Sequence, residues 1–207
     1  KEQGRFAEAD AYLREALAMD EALLGSTHPN VQSRRHNLGV IHLDLDAYDE
    51  AERFLRAALA VRAEALPPDH PDVFSTRLYL AEALFFDGRP REALSLLEAV
   101  PASAPSRRAG LAQILLGLTL LPEDAPQAEA HARRGLDDLR TSGRVLAWEE
   151  AFGEVVLGRA LATQGRHAPA DTLLTKAQAT LQAAPGTPPR YLHLARQARE
   201  ALPPTPY

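Results

Sequence analysis

Asp46-Ala47-Tyr48-Asp49-Glu50-Ala51 repeats a phrase first met as Gly4-Arg5-Phe6-Ala7-Glu8-Ala9, 46 − 4 = 42 residues earlier. It returns 42 residues later as Gly88-Arg89-Pro90-Arg91-Glu92-Ala93. A shorter step of 35 leads to Glu123-Asp124-Ala125-Pro126-Gln127-Ala128, and another of 42 to Gly165-Arg166-His167-Ala168-Pro169-Ala170. Leu13, Leu55, Leu97, Ala132 and Leu174 share a second equivalent site. Phased self-similarity at this period marks a stacked repeat array.

Each unit reads as two helices. A proline opens the first, where its missing N–H costs nothing and its φ is already helical. The spacing predicts first helices over Pro29–Leu43, Pro71–Phe86, Ser106–Leu120 and Ala147–Gln164. Second helices are expected near 5–24, 47–65, 89–99, 125–140 and 166–183, after the Gly or Asp turn. Phe54, Leu55, Ala58, Leu59 and Val61 follow the three- and four-residue spacing of a buried helix face. Strand alternation is absent. The repeated alanines let antiparallel helices approach, and Leu38, Leu80, Leu116 and Leu157 are expected opposite them. The fold class is therefore all-α, a right-handed solenoid of antiparallel helix pairs that bury their apolar faces on their neighbours.

One repeat domain is expected over residues 1–202, with units starting near 4, 46, 88, 123 and 165. The repeat from 88 to 122 is compressed, Pro101–Pro105 and Arg140–Val145 are longer loops, and curvature is expected to change near 100–125. Residues 189–202 read as a capping helix and 203–207 as a Pro-rich tail with a PxxP pattern. Lys1-Glu2-Gln3 stand where the end of a first helix belongs, which suggests a fragment of a longer protein.

These residues resemble the tetratricopeptide repeat. Leu38-Gly39, Leu116-Gly117 and Leu157-Gly158 match its Leu-Gly pair, with Ala51 and Ala58 following in the second helix. The 42-residue spacing and the phrases LGSTHPNV (24–31) and LPPDHPDV (66–73) resemble its kinesin light chain branch more closely. Similar arrays occur in bacterial signalling proteins, including serine/threonine kinases. The near-absence of lysine, present only at Lys1 and Lys176, suits a GC-rich bacterial genome.

The resemblance implies a protein–protein interaction module that takes a peptide or protein on a concave groove lined by first helices. Carried over from the Leu-Gly pair, the groove comprises Ser33, His36, Asn37, Val40 and Asp44, then Ser75, Leu78, Tyr79, Glu82 and Phe86. Leu111, Ile114 and Leu118 follow, then Phe152, Val155 and Arg159. The branch's backbone-contacting Asn is matched only by Asn37; Tyr79, Leu115 and Val156 replace it elsewhere. An apolar middle groove admits two readings: a hydrophobic docking surface, or core side chains under tight coiling. Two alternative functions stay open: a regulatory segment contacting a kinase or ATPase domain of its own polypeptide, and a homo-oligomerisation scaffold.

Other chemistries find little support. A net charge of −5 argues against a broad nucleic-acid surface. The chain has 0 cysteines, which excludes disulfides and thiolate metal sites. No run of about 18 apolar residues suggests a membrane span, and a cytoplasmic location is expected. His28 and His70 stand beside prolines at helix starts, where capping accounts for them, and His36 and His42 face different sides of one helix. No HExxH, GxSxG or phosphate-loop motif is present, so neither metal, cofactor nor catalysis is expected within these residues. Asp137-Asp138 and Glu149-Glu150 are expected to be solvated, as are the heads of Arg34, Arg35, Arg77, Arg107, Arg108, Arg133 and Arg134.

Overall fold

The structure, a computed structural model, describes residues 2–99, 106–143 and 145–203, with side chains from Glu8 onward except Ala9. The loop expected at 101–105 and all but the first residue of the tail lie outside the described residues. Ten helices and no strand occur among the described residues. The chain divides into two compact units, Lys1–Pro101 and Ala102–Tyr207.

The first unit holds α1 (Glu2–Leu24), α2 (Pro29–Asp44), α3 (Tyr48–Ala65), α4 (Pro71–Phe86) and α5 (Pro90–Glu98). The second holds α6 (Arg107–Leu120), α7 (Ala125–Thr141), α8 (Ala147–Thr163), α9 (His167–Ala183) and α10 (Pro189–Glu200). In each unit the chain packs every helix on its successor, and first helices also touch: α2 with α4, α6 with α8, and α8 with α10. The first helices thus share one side. The compression expected after residue 88 falls on α5, which has 9 residues where α3 has 18.

The recurring turn has a backbone cause. Asp46, Gly88 and Gly165 sit at φ 57, 81 and 76, the left-handed conformation that closes a helix. In each case the next amide donates to a carbonyl five residues back: Ala47 to His42, Arg89 to Leu84 and Arg166 to Leu161, at 2.8–2.9 Å. Helix starts repeat as well. The Nδ1 of His28 accepts the Asn30 N–H at 3.2 Å, and that of His70 accepts the Asp72 N–H at 3.1 Å, so both imidazoles cap.

Ala51, Ala58, Ala93, Ala128, Ala132 and Ala170 have no solvent exposure, as expected of side chains between close helices. A Cβ on Gly39 of the Leu-Gly pair would lie 2.5 Å from Leu55 Cγ, and one on Gly158 2.7 Å from Leu174 Cγ. The glycine of the pair therefore makes room for the leucine of the second helix. Leu38, Leu80 and Leu157 are buried as expected, whereas Leu116 is half-buried.

A polar clasp joins successive second helices. Arg89 binds Glu52 of the preceding repeat, and Arg166 binds Glu129 at 3.0 Å, each pair 37 residues apart (89 − 52 and 166 − 129). Burial alone would raise the Glu52 carboxyl, but hydrogen bonds from Arg89 and Arg56 outweigh it and hold it below its ordinary 4.5. Glu129 is lowered in the same way, burial being outweighed by Arg133, Gln164 and Arg166. A carboxyl depressed by folding stabilises the native state above its unfolded pKa and loses that contribution as pH falls through the folded value. Stability should therefore fall as pH drops below 4.5. In thermal melts across that window, Glu52→Gln and Glu129→Gln should each flatten the slope.

Candidate functional site

First helices carry every residue expected in the groove, and the structure divides them by accessibility. In the first unit, Ser33 and Asn37 are exposed on α2, with His36, Val40 and Asp44 half-buried beside them. Tyr79 and Phe86 of α4 are half-buried. The His36 ring meets Tyr79 edge-on at 5.5 Å, and Phe86 stacks on Tyr48 at 6.3 Å. These side chains form a partly open aromatic and polar surface across α2 and α4.

Seven expected groove residues are instead buried: Ser75, Leu78, Glu82, Ile114, Leu118, Phe152 and Val155. Phe152 stacks on Tyr191 of α10 at 4.2 Å, and Ile114 and Val155 are fully enclosed. The apolar stretch in the second unit is thus core, covered in part by its last helix. Leu111 and Arg159 are half-buried there.

Beneath the α2/α4 surface runs a polar network that repeat spacing did not reveal. Arg62, 6% exposed, donates from Nη1 to Thr76 Oγ1 at 2.6 Å and from Nη2 to Ser33 Oγ at 3.3 Å. Thr76 donates its one hydroxyl proton to the Asp72 carbonyl at 2.7 Å. It must then accept from His36 Nδ1, 3.2 Å away, which fixes a proton on that nitrogen. Burial depresses the Arg62 guanidinium, partly offset by Asp72. Arg62 and Thr76 lie 14 residues apart, as do the ion pairs Asp20–Arg34 and Glu21–Arg35. That recurring interval was the available signal.

Two expectations about charged residues need correction. Glu149 has no solvent exposure and Asp138 is buried, whereas both were expected in water. Arg107 of α6, 42 positions upstream, pairs with the buried Glu149 carboxylate. Arg34, Arg35 and Arg133 are also in ion pairs, and Arg77 donates to the Ala99 carbonyl at 3.0 Å.

The second unit also contains a cavity of about 420 Å³, between the C-terminal ends of α6, α8 and α10 and the start of α9. Arg159, Leu121, His167 and Gln197 line it. Gln197 lies on the expected capping helix and His167 on an expected second helix, outside the first-helix groove. Among the described residues, no group of three His, Cys, Asp or Glu side chains is placed to hold a metal ion. No helix among them is long and apolar enough to cross a membrane.

The tetratricopeptide repeat model matches residues 1–64 and 31–100. No curated protein matches the sequence. Among solved structures, kinesin light chain nearly identical TPR-like repeats from Podosopora anserina superpose with a TM-score of 0.66 at 23% identity, covering 86% of this chain and 88% of that one. BtubC (BKLC) from P. vanneervenii gives 0.63 at 19% identity, covering 100% and 79%. A Rap protein complexed with competence and sporulation factor gives 0.68 at 12%, covering 87% of this chain and 50% of that one. Identities this low speak to fold.

Proposed function

From a chain whose residues 1–100 belong to the tetratricopeptide repeat family, we propose a protein–protein interaction module that binds a peptide or protein partner on the first-helix face of its first unit. The observation that carries this reading is the accessible cluster His36, Asn37, Val40, Asp44, Tyr79 and Phe86, shared by two neighbouring first helices. It offers aromatic area flanked by hydrogen-bonding groups, the composition that recurs at interface anchors. Tetratricopeptide arrays are scaffolds, and any catalysis belongs to other parts of the polypeptide or to a partner. The Rap neighbour, solved with competence and sporulation factor, is a related fold holding a ligand. Service within a larger bacterial signalling protein is the context that we propose.

Tyr79→Ala and Phe86→Ala test this reading. Each should weaken partner binding by about tenfold or more, the effect of truncating an aromatic anchor. Circular dichroism melts should move less than for a core residue, because both side chains are only half-buried. A loss of several degrees in Tm with unchanged affinity would assign them to the core and defeat the reading.

A second reading, contact with other helices of the same polypeptide or with a second copy, is favoured by α1. Tyr12, Met19 and Leu23 are 79%, 58% and 77% exposed on one helix face. The residue equivalent to Tyr12 one repeat later, Phe54 (54 − 12 = 42), is 9% exposed and packs with Leu17 and Leu38 of the preceding pair. The α1 stripe therefore has the geometry of a seat for another helix pair.

A further inference from the structure

One repeat buries a cation where the repeat before it has an ion pair. Asp20 and Arg34, 14 residues apart, bind each other. One repeat later (62 − 20 and 76 − 34, each 42) the same positions hold Arg62 and Thr76. The Arg62 guanidinium, 6% exposed, therefore meets a hydroxyl in place of a carboxylate. Of its N–H groups, those of Nη1 serve the Asp72 carbonyl and Thr76, and one on Nη2 serves Ser33. The Nε–H and the second Nη2–H make no hydrogen bond among the described residues. No enclosed side-chain nitrogen among those residues lacks a partner, so the Nε–H reaches open space. Arg62 lines a cavity of about 240 Å³ between the N-terminal ends of α2 and α4 and the C-terminal end of α3. Pro29, Val61 and Leu66 give it apolar walls. His70 adds a donor, because its Nδ1 accepts the Asp72 N–H at 3.1 Å and the proton of the neutral ring then sits on Nε2. Among the described lining residues the full charges are Arg62 and Asp72, one of each sign.

We propose that this cavity takes one aliphatic residue of a partner peptide. Its carbonyl accepts from the Arg62 Nε–H, its N–H donates to the Asp72 carboxylate, and its side chain rests on Pro29, Val61 and Leu66. A neutral amide carries an acceptor and a donor together, which matches a cation and an anion held in one pocket. An anionic ligand would meet Asp72, and a cationic one would meet Arg62. The volume lies below the range of about 300–1,000 Å³ usual for small-molecule sites, so it suits a single residue. Ser33 of the first-helix face bonds Arg62, which links the cavity to the surface proposed to hold the partner. The inference rests on the interaction-module reading only in taking a peptide as the source of the amide.

Nuclear magnetic resonance titration of the whole isotope-labelled chain tests this. N-acetylvalinamide supplies the amide and the aliphatic body, N-acetylglycinamide supplies the amide alone, and N-acetylvaline puts a carboxylate in place of the terminal amide. N-acetylvalinamide should shift the backbone amides of Val61, Leu66 and His70 saturably. It should bind about tenfold more tightly than N-acetylglycinamide, the effect of burying most of an isopropyl group. It should also bind several-fold more tightly than N-acetylvaline, which Asp72 repels. Arg62 is buried in its network, so the mutational arm uses the exposed Asp72. Asp72→Ala should reverse the order of N-acetylvalinamide and N-acetylvaline, since it removes the anion and leaves the cation. Acetyl-Ala-Val-Ala-amide should bind at least as tightly as N-acetylvalinamide, because the residue is held within a peptide. The proposal is overturned by any one of five results: no saturable shift at millimolar concentration, equal affinity for the valine and glycine amides, preference for the carboxylate on the unmodified chain, exclusion of the tripeptide, or an order unchanged in Asp72→Ala. Should one of these occur while partner binding still depends on Tyr79, the amide pocket falls and the interaction module stands.

Discussion

Gly135→Ala should destabilise the second unit by about 2 kcal/mol, and Gly135→Val by more, even though both replacements remove a helix-interior glycine. A Cβ on Gly135 would lie 2.6 Å from the Gly110 carbonyl oxygen, and one on Gly110 would lie 2.8 Å from the Gly135 oxygen. Here α6 and α7 meet backbone to backbone. The obstacle is a carbonyl that is itself bonded in a helix, so relief requires the two helices to separate along their length. Against this stands the gain of about 1 kcal/mol that alanine brings over glycine in a helix interior. Overpacking at its upper range of about 3 kcal/mol wins.

Gly153 supplies the control. Its added Cβ would meet Leu136 Cδ2 at 2.7 Å and Ile114 Cδ1 at 2.8 Å, side-chain atoms rather than backbone, with Leu136 Cγ next at 3.0 Å. Gly153→Ala should accordingly be close to neutral. Thermal melts of the two alanine variants should then differ by roughly 4–8 °C. Hydrogen exchange should place the loosened amides of Gly135→Ala in α6 and α7. Equal melting of the two variants would show that the α6/α7 crossing yields as easily as a leucine methyl.

The contrast between Gly135 and Gly39 marks how far sequence could lead. Gly39 belongs to a Leu-Gly pair that recurs in phase, so its closeness to Leu55 followed from repetition. Gly110 and Gly135 recur nowhere else in register, and only the structure brings them together. Helix limits were legible because local chemistry sets them: Pro29 and Pro71 open α2 and α4 in the structure as in the sequence. The positive-φ Asp46, Gly88 and Gly165 likewise close α2, α4 and α8 through backbone preference.

Accessibility was less legible, since a first helix has one face toward the groove and another toward the core, and repeat register does not say how wide each is. Phe152 and Val155 matched groove positions by count. Both are buried, and Tyr191 of α10, expected only as part of a capping helix, lies across Phe152. The end of an array breaks its own periodicity, so what the last helix covers cannot be read from earlier repeats. Ser75, Leu78 and Glu82 on α4 were misplaced by the same ambiguity of face.

The buried carboxylate leads to the other large expected effect, in which removing a partly exposed arginine costs more than neutralising the enclosed acid it serves. Glu149 has no solvent exposure, and Arg107 grips both its oxygens from Nε at 2.7 and 2.9 Å. It also accepts the Leu146 amide at the start of α8, 3.0 Å away. The α8 N-terminus offers some stabilisation to a negative charge, about 0.3–1 kcal/mol. That is too little to hold an enclosed carboxylate alone. Arg107→Ala should therefore cost about 2–4 kcal/mol, the penalty for leaving a desolvated charge unpaired. Glu149→Gln can keep the bond to Leu146 through its amide oxygen, and Arg107, 43% exposed, remains in reach of water, so about 1 kcal/mol is expected. The double variant should be more stable than Arg107→Ala alone, because a neutral amide needs no counter-ion. Urea denaturation of the four proteins completes the cycle. A double variant less stable than Arg107→Ala would mean that the pair acts through packing rather than charge, since only the charge makes one substitution repair the other.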